Sequence, residues 1–151
     1  MNLKTITSRL TLFHCINVFG DGAALPKISS DKAELSFVKM PCSSMVKDVF
    51  LLRAFENGAD AVLVLVCVEG TCRYVEGNLR AAKRVKRVQA LLDEIGLDGR
   101  RLLFFNVRAG DSQAVEEAVR AAKSVLDVLG SNPAAGMKIH RQDAESAEAK
   151  A

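Results

Sequence analysis

The chain has no tryptophan, a single tyrosine and only 5% aromatic residues. It also lacks any apolar run near the roughly 18 residues that a membrane-spanning helix needs, so the sequence predicts no membrane insertion. The remaining composition, 49% hydrophobic and 26% charged, is typical of a soluble globular protein. At 151 residues the chain has the length of one domain with a full core, and its many Val, Leu and Ala residues suit an α/β layer fold.

Targeting and nucleotide-binding signals are also missing. The amino-terminal stretch MNLKTITSRLTLFHC has two basic residues but no uninterrupted apolar segment, so we expect no signal peptide and a cytoplasmic location. No strand pattern is followed by G-x-G-x-x-G and no P-loop is present, so nothing indicates NAD, flavin or nucleotide binding. The net charge of +3 is too small to predict nucleic acid as a partner.

Strand and helix patterns alternate along the chain. Strands are predicted at residues 10–14, 34–40, 62–66 and 101–107, and helices from Ser43 or Ser44 to about 57, at 79–95 and at 112–129. The first helix is expected to end at Gly58 and to bury Val46, Val49, Phe50 and Ala54.

This alternation predicts an α/β fold, a small flavodoxin-like or Rossmann-like parallel sheet of about four strands flanked by helices. We assign residues 1–9 to a lead-in and 10–130 to a single domain. Residues 131–151 are rich in Ala, Glu, Lys and Ser without periodicity, and we expect a disordered tail.

The four cysteines follow the predicted strands. Cys15, Cys42 and Cys67 each stand at or just after the end of a different strand, and Cys72 lies in the loop after the third. Ligands of open α/β sheets bind beyond the carboxyl ends of the strands, where all four thiols would therefore converge. Packing alone has no preference for strand ends, so we predict one shared site.

Four thiols suit a 2Fe–2S cluster, a 4Fe–4S cluster or a tetrahedral zinc ion. Zinc usually takes two close cysteine pairs, whereas this chain has one, the C-x₄-C of Cys67 and Cys72. Single cysteines on separate strands fit a cluster better. A thiol-redox enzyme is a further alternative, although no C-x-x-C motif is present.

The segment CVEGTCRYVEGNLRAAKRV, residues 67–85, resembles the C-x₄-C-x-Y-x-x-G-N signature of the delta subunit of methyl-viologen-reducing hydrogenase. The flanking segments MPCSSMVKD and NGADAVLV match the family in the same order. The resemblance implies a 2Fe–2S cluster on Cys42, Cys67, Cys72 and a thiol of the first loop. It also implies electron relay between a hydrogenase, or another dehydrogenase module, and heterodisulfide-reductase-type subunits.

The first loop departs from that family. Its members usually have F-C-C-x-x-C there, whereas this chain has FHCINVFG, with His14 and Val18 near positions where the family has cysteines. We expect Cys15 to be the fourth ligand, because His14 lies inside a strand pattern. The alternatives are a ligand role for His14, which would raise the potential as in Rieske centres, and loss of the cluster.

A basic stretch follows the cysteine turn, with Arg73, Arg80, Lys83, Arg84 and Arg87 opposite the apolar stripe of the second helix. A solvated helix face is the simpler interpretation, and a docking patch for an acidic partner is the alternative. Tyr74 and Asn78 are candidates for holding the turn by hydrogen bonds, and packing and helix capping are equally good explanations of them.

No catalytic constellation can be placed, so we expect a non-catalytic electron-transfer subunit of an anaerobic oxidoreductase complex. Its partners would be protein subunits, without nucleic acid. The alternative is a scaffold subunit of the same kind of complex that holds zinc or no metal.

Overall fold

The computed structural model describes residues 7–15, 18, 33–40, 42–68 and 77–136. Its strands are β1 (Ser8–Cys15), β2 (Ala33–Met40), β3 (Ala61–Val66) and β4 (Leu102–Asn106). Its helices are α1 (Asp48–Glu56), α2 (Gly77–Glu94) and α3 (Ser112–Leu129). Three short 3-10 helices span Ser43–Met45, Gly99–Arg101 and Pro133–Gly136.

The strands form one parallel sheet in the order β2-β1-β3-β4, which confirms the predicted α/β fold. β3 occupies an inner position and is buried at every residue, as its uninterrupted apolar sequence requires. β2 lies at one edge of the sheet and alternates between half-buried and exposed residues over most of its length. The sheet therefore has a buried centre and an open edge along β2.

Helices cover both faces of the sheet. α3 packs on one face, where Leu63 and Leu65 of β3 meet Val115 and Ala122. α1 and α2 pack on the other face, where Val62, Val64, Leu51, Phe55, Val85, Val88 and Leu92 form a second core. No helix in the described part of the chain is long and apolar enough to cross a membrane.

The start of α1 differs from the prediction. Neither Ser43 nor Ser44 caps it; these residues form a separate 3-10 turn, and Lys47 precedes the helix without a side-chain capping bond. The predicted buried face is also partly wrong, because Val49 is 44% exposed and Phe50 41% exposed. Leu51 and Phe55 of α1 face the core instead. Gly58 ends the helix as predicted, with a φ of 106°.

A buried polar cluster closes the amino-terminal edge of the sheet. The Arg101 guanidinium is only 3% exposed and donates to backbone carbonyl oxygens at 2.8–3.3 Å. Its acceptors are the carbonyl groups of Asp60, Leu97, Leu129, Gly130 and Ser131. These hydrogen bonds connect the end of α3 to the residues that precede β3 and β4.

Asn132 extends the same cluster past the domain boundary assigned at residue 130. Its backbone N–H donates to the Asp60 carboxylate at 2.7 Å, and its side-chain amide donates to the Phe55 and Ala59 carbonyls at 2.9 and 2.8 Å. Asn132 is thus packed on the domain, although Ser131 and Pro133 on either side of it are exposed. Residues 137–151, the remainder of the predicted tail, lie outside the described residues, as do 1–6 of the lead-in.

Candidate functional site

Three cysteines stand at the carboxyl ends of three neighbouring strands. Cys15 is the last residue of β1 and pairs in register with Met40, the last residue of β2. Cys42 follows two positions later, and Cys67 comes directly after β3. Because β1 lies between β2 and β3, the topology brings these three residues to one edge, as the sequence predicts. Cys72 lies outside the described residues.

All three cysteines are buried, with exposures of 2% for Cys15, 5% for Cys42 and 6% for Cys67. None forms a disulfide with another described cysteine. Cys15 and Cys67 also belong to the apolar core beneath α3, together with Val18 and Val107. Among the described residues, no three Cys, His, Asp or Glu side chains form a group that could hold a metal ion. Ligand roles for these cysteines therefore stay predictions.

The sulfur of Cys42 accepts hydrogen bonds from Ser44. The Ser44 hydroxyl donates to it at 3.3 Å and the Ser44 backbone N–H at 3.5 Å. The turn is closed by the backbone N–H of Met45, which donates to the Cys42 carbonyl at 3.0 Å. Donors directed at sulfur stabilise negative charge there, and they are one of the means by which proteins tune iron–sulfur potentials. This arrangement also explains why Ser44 does not cap α1.

Helix α2 holds the Cys42 turn through Arg84. The guanidinium donates to the carbonyl oxygens of Ser44 and Val46, the latter at 2.8 Å. Arg84 is half-buried, so its assignment to a solvated basic face is wrong. Arg87, on the same helix, forms an ion pair with Asp48 at 3.1 Å. Lys83 is exposed and fits the predicted solvated face.

The same helix holds the end of β3 through Asn78. This side chain is 3% exposed; its amide donates to the Cys67 carbonyl at 3.2 Å and its oxygen accepts from the Leu79 N–H at 2.9 Å. The hydrogen-bonding role of Asn78 is confirmed. Tyr74, the other candidate for that role, lies outside the described residues, as does Arg73 of the basic stretch. α2 therefore contacts both the Cys42 turn and the Cys67 backbone.

Cys15 is held by a different part of the fold. The Val18 N–H donates to the Cys15 carbonyl at 3.0 Å, and the Val18 carbonyl accepts from the Gly110 N–H at 2.9 Å. Val18 itself is 1% exposed. The turn after β1 is thereby joined to the loop between β4 and α3.

His14 is a core residue of β1. Its Nδ1 lies 3.2 Å from the Cys15 carbonyl oxygen, which can only accept, so Nδ1 carries the proton. The ring meets Phe37 edge-to-face, with centroids 6.2 Å apart. Burial lowers the pKa of His14. The hydrogen bond to the Cys15 carbonyl raises the pKa in opposition, and the positive charge of Lys39 lowers it further. The packed, hydrogen-bonded ring fits the interpretation of His14 as a satisfied strand residue.

The family model for the delta subunit of methyl-viologen-reducing hydrogenase matches residues 11–130. The chain belongs to this family. The match covers nearly all of the described domain and includes every cysteine. It confirms the resemblance carried by the segment from Cys67 to Val85.

Relatives of this delta-subunit family include iron–sulfur subunits of F420-non-reducing hydrogenases. The Methanocaldococcus jannaschii protein is 38% identical over 101 residues, 67% of this chain and 75% of the relative. The Archaeoglobus profundus protein is 43% identical over 93 residues, 62% of this chain and 68% of the relative. A CoB-CoM heterodisulfide reductase subunit of Methanosarcina acetivorans is 32% identical over 93 residues, 62% of this chain and only 12% of that larger protein.

The sequence signalled the delta-subunit cysteines but not the residues that support them. Arg84 of α2 donates to the Ser44 carbonyl in the Cys42 turn, and these two residues are forty positions apart in sequence. A serine two residues after a cysteine is a weak signal, since serine is also a common helix cap. The donor set, buried thiols with N–H and O–H groups directed at one sulfur, suits a thiolate-ligated iron or zinc centre better than an oxygen-preferring cation.

Proposed function

We propose that the chain is an electron-transfer subunit that carries one 2Fe–2S cluster at the carboxyl edge of its sheet. The observation that carries the proposal is the convergence of Cys15, Cys42 and Cys67 at the ends of adjacent parallel strands, with Ser44 donating to the Cys42 sulfur. The hydrogenase relatives named as iron–sulfur subunits support it. Cys72 would complete the ligand set, as the C-x₄-C motif implies.

A 2Fe–2S cluster supplies a one-electron couple. The chain itself would supply the thiolates, the Ser44 donors that favour negative charge on sulfur, and a buried setting in which nearby apolar groups restrict water. Buried cysteines at the end of a sheet, rather than in its middle, would keep the cluster within reach of a partner's redox centre. The role of the chain is therefore to bind, tune and present the cluster.

The partners we propose are subunits of hydrogenase and heterodisulfide-reductase complexes. One relative bears the name of an F420-non-reducing hydrogenase subunit, and another is a heterodisulfide reductase subunit in which the similar region is a small part of a longer chain. A domain found both as a separate subunit and within a larger reductase chain is expected to function beside that reductase. We propose that this chain likewise functions beside a heterodisulfide-reductase-type subunit.

The test is chemical analysis of protein purified without oxygen. We expect about two irons and two acid-labile sulfides per chain, and a paramagnetic signal after dithionite reduction. Cys15→Ser should abolish or alter that paramagnetic signal. His14→Gln should leave the signal unchanged. A signal that changes with His14 and not with Cys15 would reverse the assignment of the fourth ligand.

The second candidate is a zinc-stabilised or metal-free scaffold. It is favoured by the packing of Cys15 and Cys67 within the apolar core. Stoichiometric zinc, or a stable complex with partners in protein free of iron, would support the scaffold over the cluster.

A further inference from the structure

An open groove runs along the edge of the sheet beside α1. It has a volume of about 690 Å³ and lies between the outward face of β2 and the helix. α1 packs on β3 and α2, and within the described ranges no helix packs extensively on β2. The floor is apolar, formed by Leu10, Phe13, Met40, Ala54 and Ala59. Among the described residues, no helix therefore covers β2 on the side of the sheet where α1 packs.

Large apolar side chains line the rim of this groove, where a monomer would ordinarily have polar residues. Val38 is 39% exposed, Met45 52% and Phe50 41%. Val49, the residue before Phe50 on α1, is 44% exposed. Clustered exposed apolar side chains mark interaction sites more often than scattered ones, and flexible methionine side chains adapt to varied partners. The rim thus has the composition of a surface that is covered in an assembly.

The charges around the groove are predominantly positive. Arg9 and Glu34 compensate each other through an ion pair of 3.6 Å. Lys39 and Arg53 also line the groove, and neither forms an ion pair with a described residue. The Lys47 ammonium lies 6.0 Å from the Phe50 ring centroid and adds a third positive charge at the rim. A complementary occupant must therefore carry carboxylates.

We propose that this groove docks an apolar segment bearing Asp or Glu from a partner oxidoreductase subunit. Met45 joins the groove to the candidate site, because its side chain lines the rim while its backbone N–H donates to the Cys42 carbonyl. A segment bound here would lie beside the Cys42 turn. The inference rests on the partner complex of the proposed function and is independent of the metal that the cysteines hold.

Two other occupants fit the groove less well. A symmetric second copy of this chain would bring the Lys39 and Arg53 groups of both copies together, and like charges at an interface are costly. A small molecule usually binds in an enclosed site with a few converging polar groups. This groove is instead open and flanked by long flexible side chains.

The test places a photo-crosslinker in the groove. Phe50 is replaced by p-benzoylphenylalanine in the tagged full-length chain, the complex is purified from the native host without oxygen and irradiated, and the crosslinked peptides are identified by mass spectrometry. The matched control carries the same group at Val128, an apolar residue of α3 that is 75% exposed on the opposite face of the sheet. We expect position 50 to capture an oxidoreductase segment rich in apolar and acidic residues, and position 128 not to capture it.

Charge reversal provides the second arm. Lys39→Glu combined with Arg53→Glu should weaken binding to the captured subunit by about tenfold or more and reduce its salt dependence, as measured by biolayer interferometry. The control pair Arg120→Glu and Lys123→Glu makes the same change of net charge on α3 and should leave the affinity unchanged.

Each outcome has a distinct meaning. Crosslinks from position 50 to residues 137–151 of the same chain, to a second copy or to a small molecule would overturn the docking inference. So would an intact complex that gives no crosslink at position 50 or tolerates the charge reversal. In both cases recovery of oxidoreductase subunits with the wild-type chain would leave the proposed function standing. If the wild-type chain recovers no such subunit, the proposed partners fail together with the groove.

Discussion

Arg84→Met tests whether α2 positions the Cys42 turn. The substitution removes the guanidinium that donates to the Ser44 and Val46 carbonyls. Methionine has nearly the same helix propensity as arginine and can retain the packing of the aliphatic stem, so α2 itself should persist. The change is thus confined to the contact between α2 and the turn.

The expected magnitude follows from two charge-assisted hydrogen bonds. Such bonds contribute about 1.5–3 kcal/mol each when well buried, and about 1 kcal/mol each is appropriate here because Arg84 is half-exposed. We therefore expect the free energy of unfolding to fall by about 2 kcal/mol, with a decrease in Tm of about 6–10 °C. Arg84→Lys should recover only part of this loss, since an ammonium lacks the planar fork.

Two assays separate a local effect from a global one. Urea denaturation of the metal-free, reduced protein measures the free energy of unfolding. Iodoacetamide labelling under native conditions, resolved by mass spectrometry, measures how often each buried cysteine opens. If the lost contacts hold the turn, Cys42 should be alkylated about thirty-fold faster, the equivalent of 2 kcal/mol, through an opening that costs less free energy than the global unfolding measured in urea.

The matched control is Lys83→Met, which removes a positive charge from the neighbouring, exposed position of α2. It should change neither the free energy of unfolding nor the labelling of Cys42. The reasoning is refuted if Arg84→Met leaves Cys42 as protected as in the wild type, or if Lys83→Met exposes Cys42 to the same degree.

The remaining predictions concern other polar side chains. Asn78→Ala removes the amide that donates to the end of β3 and should lower the free energy of unfolding by about 1 kcal/mol in urea denaturation. Arg101→Met leaves buried carbonyls without their donor and should cost about 3–4 kcal/mol by the same measurement, whereas unchanged stability would contradict a structural role. Burial lowers the pKa of His14, so as the pH falls the unfolded chain binds a proton at His14 before the folded chain does. The free energy of unfolding should therefore be highest above about pH 6.5 and should decline as the pH falls through the folded-state pKa of His14. His14→Gln should make this decline smaller. Ser44→Ala removes the hydroxyl donor to the Cys42 sulfur, so in cluster-bearing protein it should lower the reduction potential in an EPR-monitored titration; an unchanged potential would exclude tuning by Ser44.

The parts of the fold that could be predicted are those in which local pattern and burial agree. The uninterrupted apolar run of β3 predicts a strand covered on both faces, and the structure buries all of it. The stripe predicted for the second helix faces the core at Ala81, Val85, Val88 and Leu92 of α2, whereas its last predicted member, Ile95, follows the helix and is 64% exposed. In such segments a single periodicity decides both the element and its buried side.

The start of α1 could not be predicted because a distant contact decides it. Ser44 has the side chain of a helix cap, yet its hydroxyl donates to the Cys42 sulfur and its carbonyl accepts from Arg84. The first contact spans two positions, whereas the second joins residues forty positions apart and exists only when α2 packs against the turn. Ser44 lies in a separate 3-10 turn before α1, and Phe50 of α1 is exposed despite its apolar character. That exposed face is also where the docking groove lies.

Only part of the candidate site could be predicted from the sequence. Its location could be predicted, since the rule that parallel strands place ligands at their carboxyl ends needs only the order of elements. Its support could not, because Asn78 and Arg84 donate to carbonyl groups 11 and 40 positions away in sequence and leave no local spacing to recognise. A ligand role for Cys72 stays a prediction from the C-x₄-C motif.

The two edges of the sheet are held by separate sets of contacts. At the amino edge, Arg101 and Asn132 join the end of α3 to the chain around Asp60 through buried hydrogen bonds. At the carboxyl edge, a single helix fixes two cysteine segments, because α2 supplies both Asn78 and Arg84. Loss of Arg101 should therefore affect the unfolding of the whole domain, whereas loss of Arg84 should first release the Cys42 turn. Comparing the two variants by cysteine labelling would show whether stability and site geometry are separable in this fold.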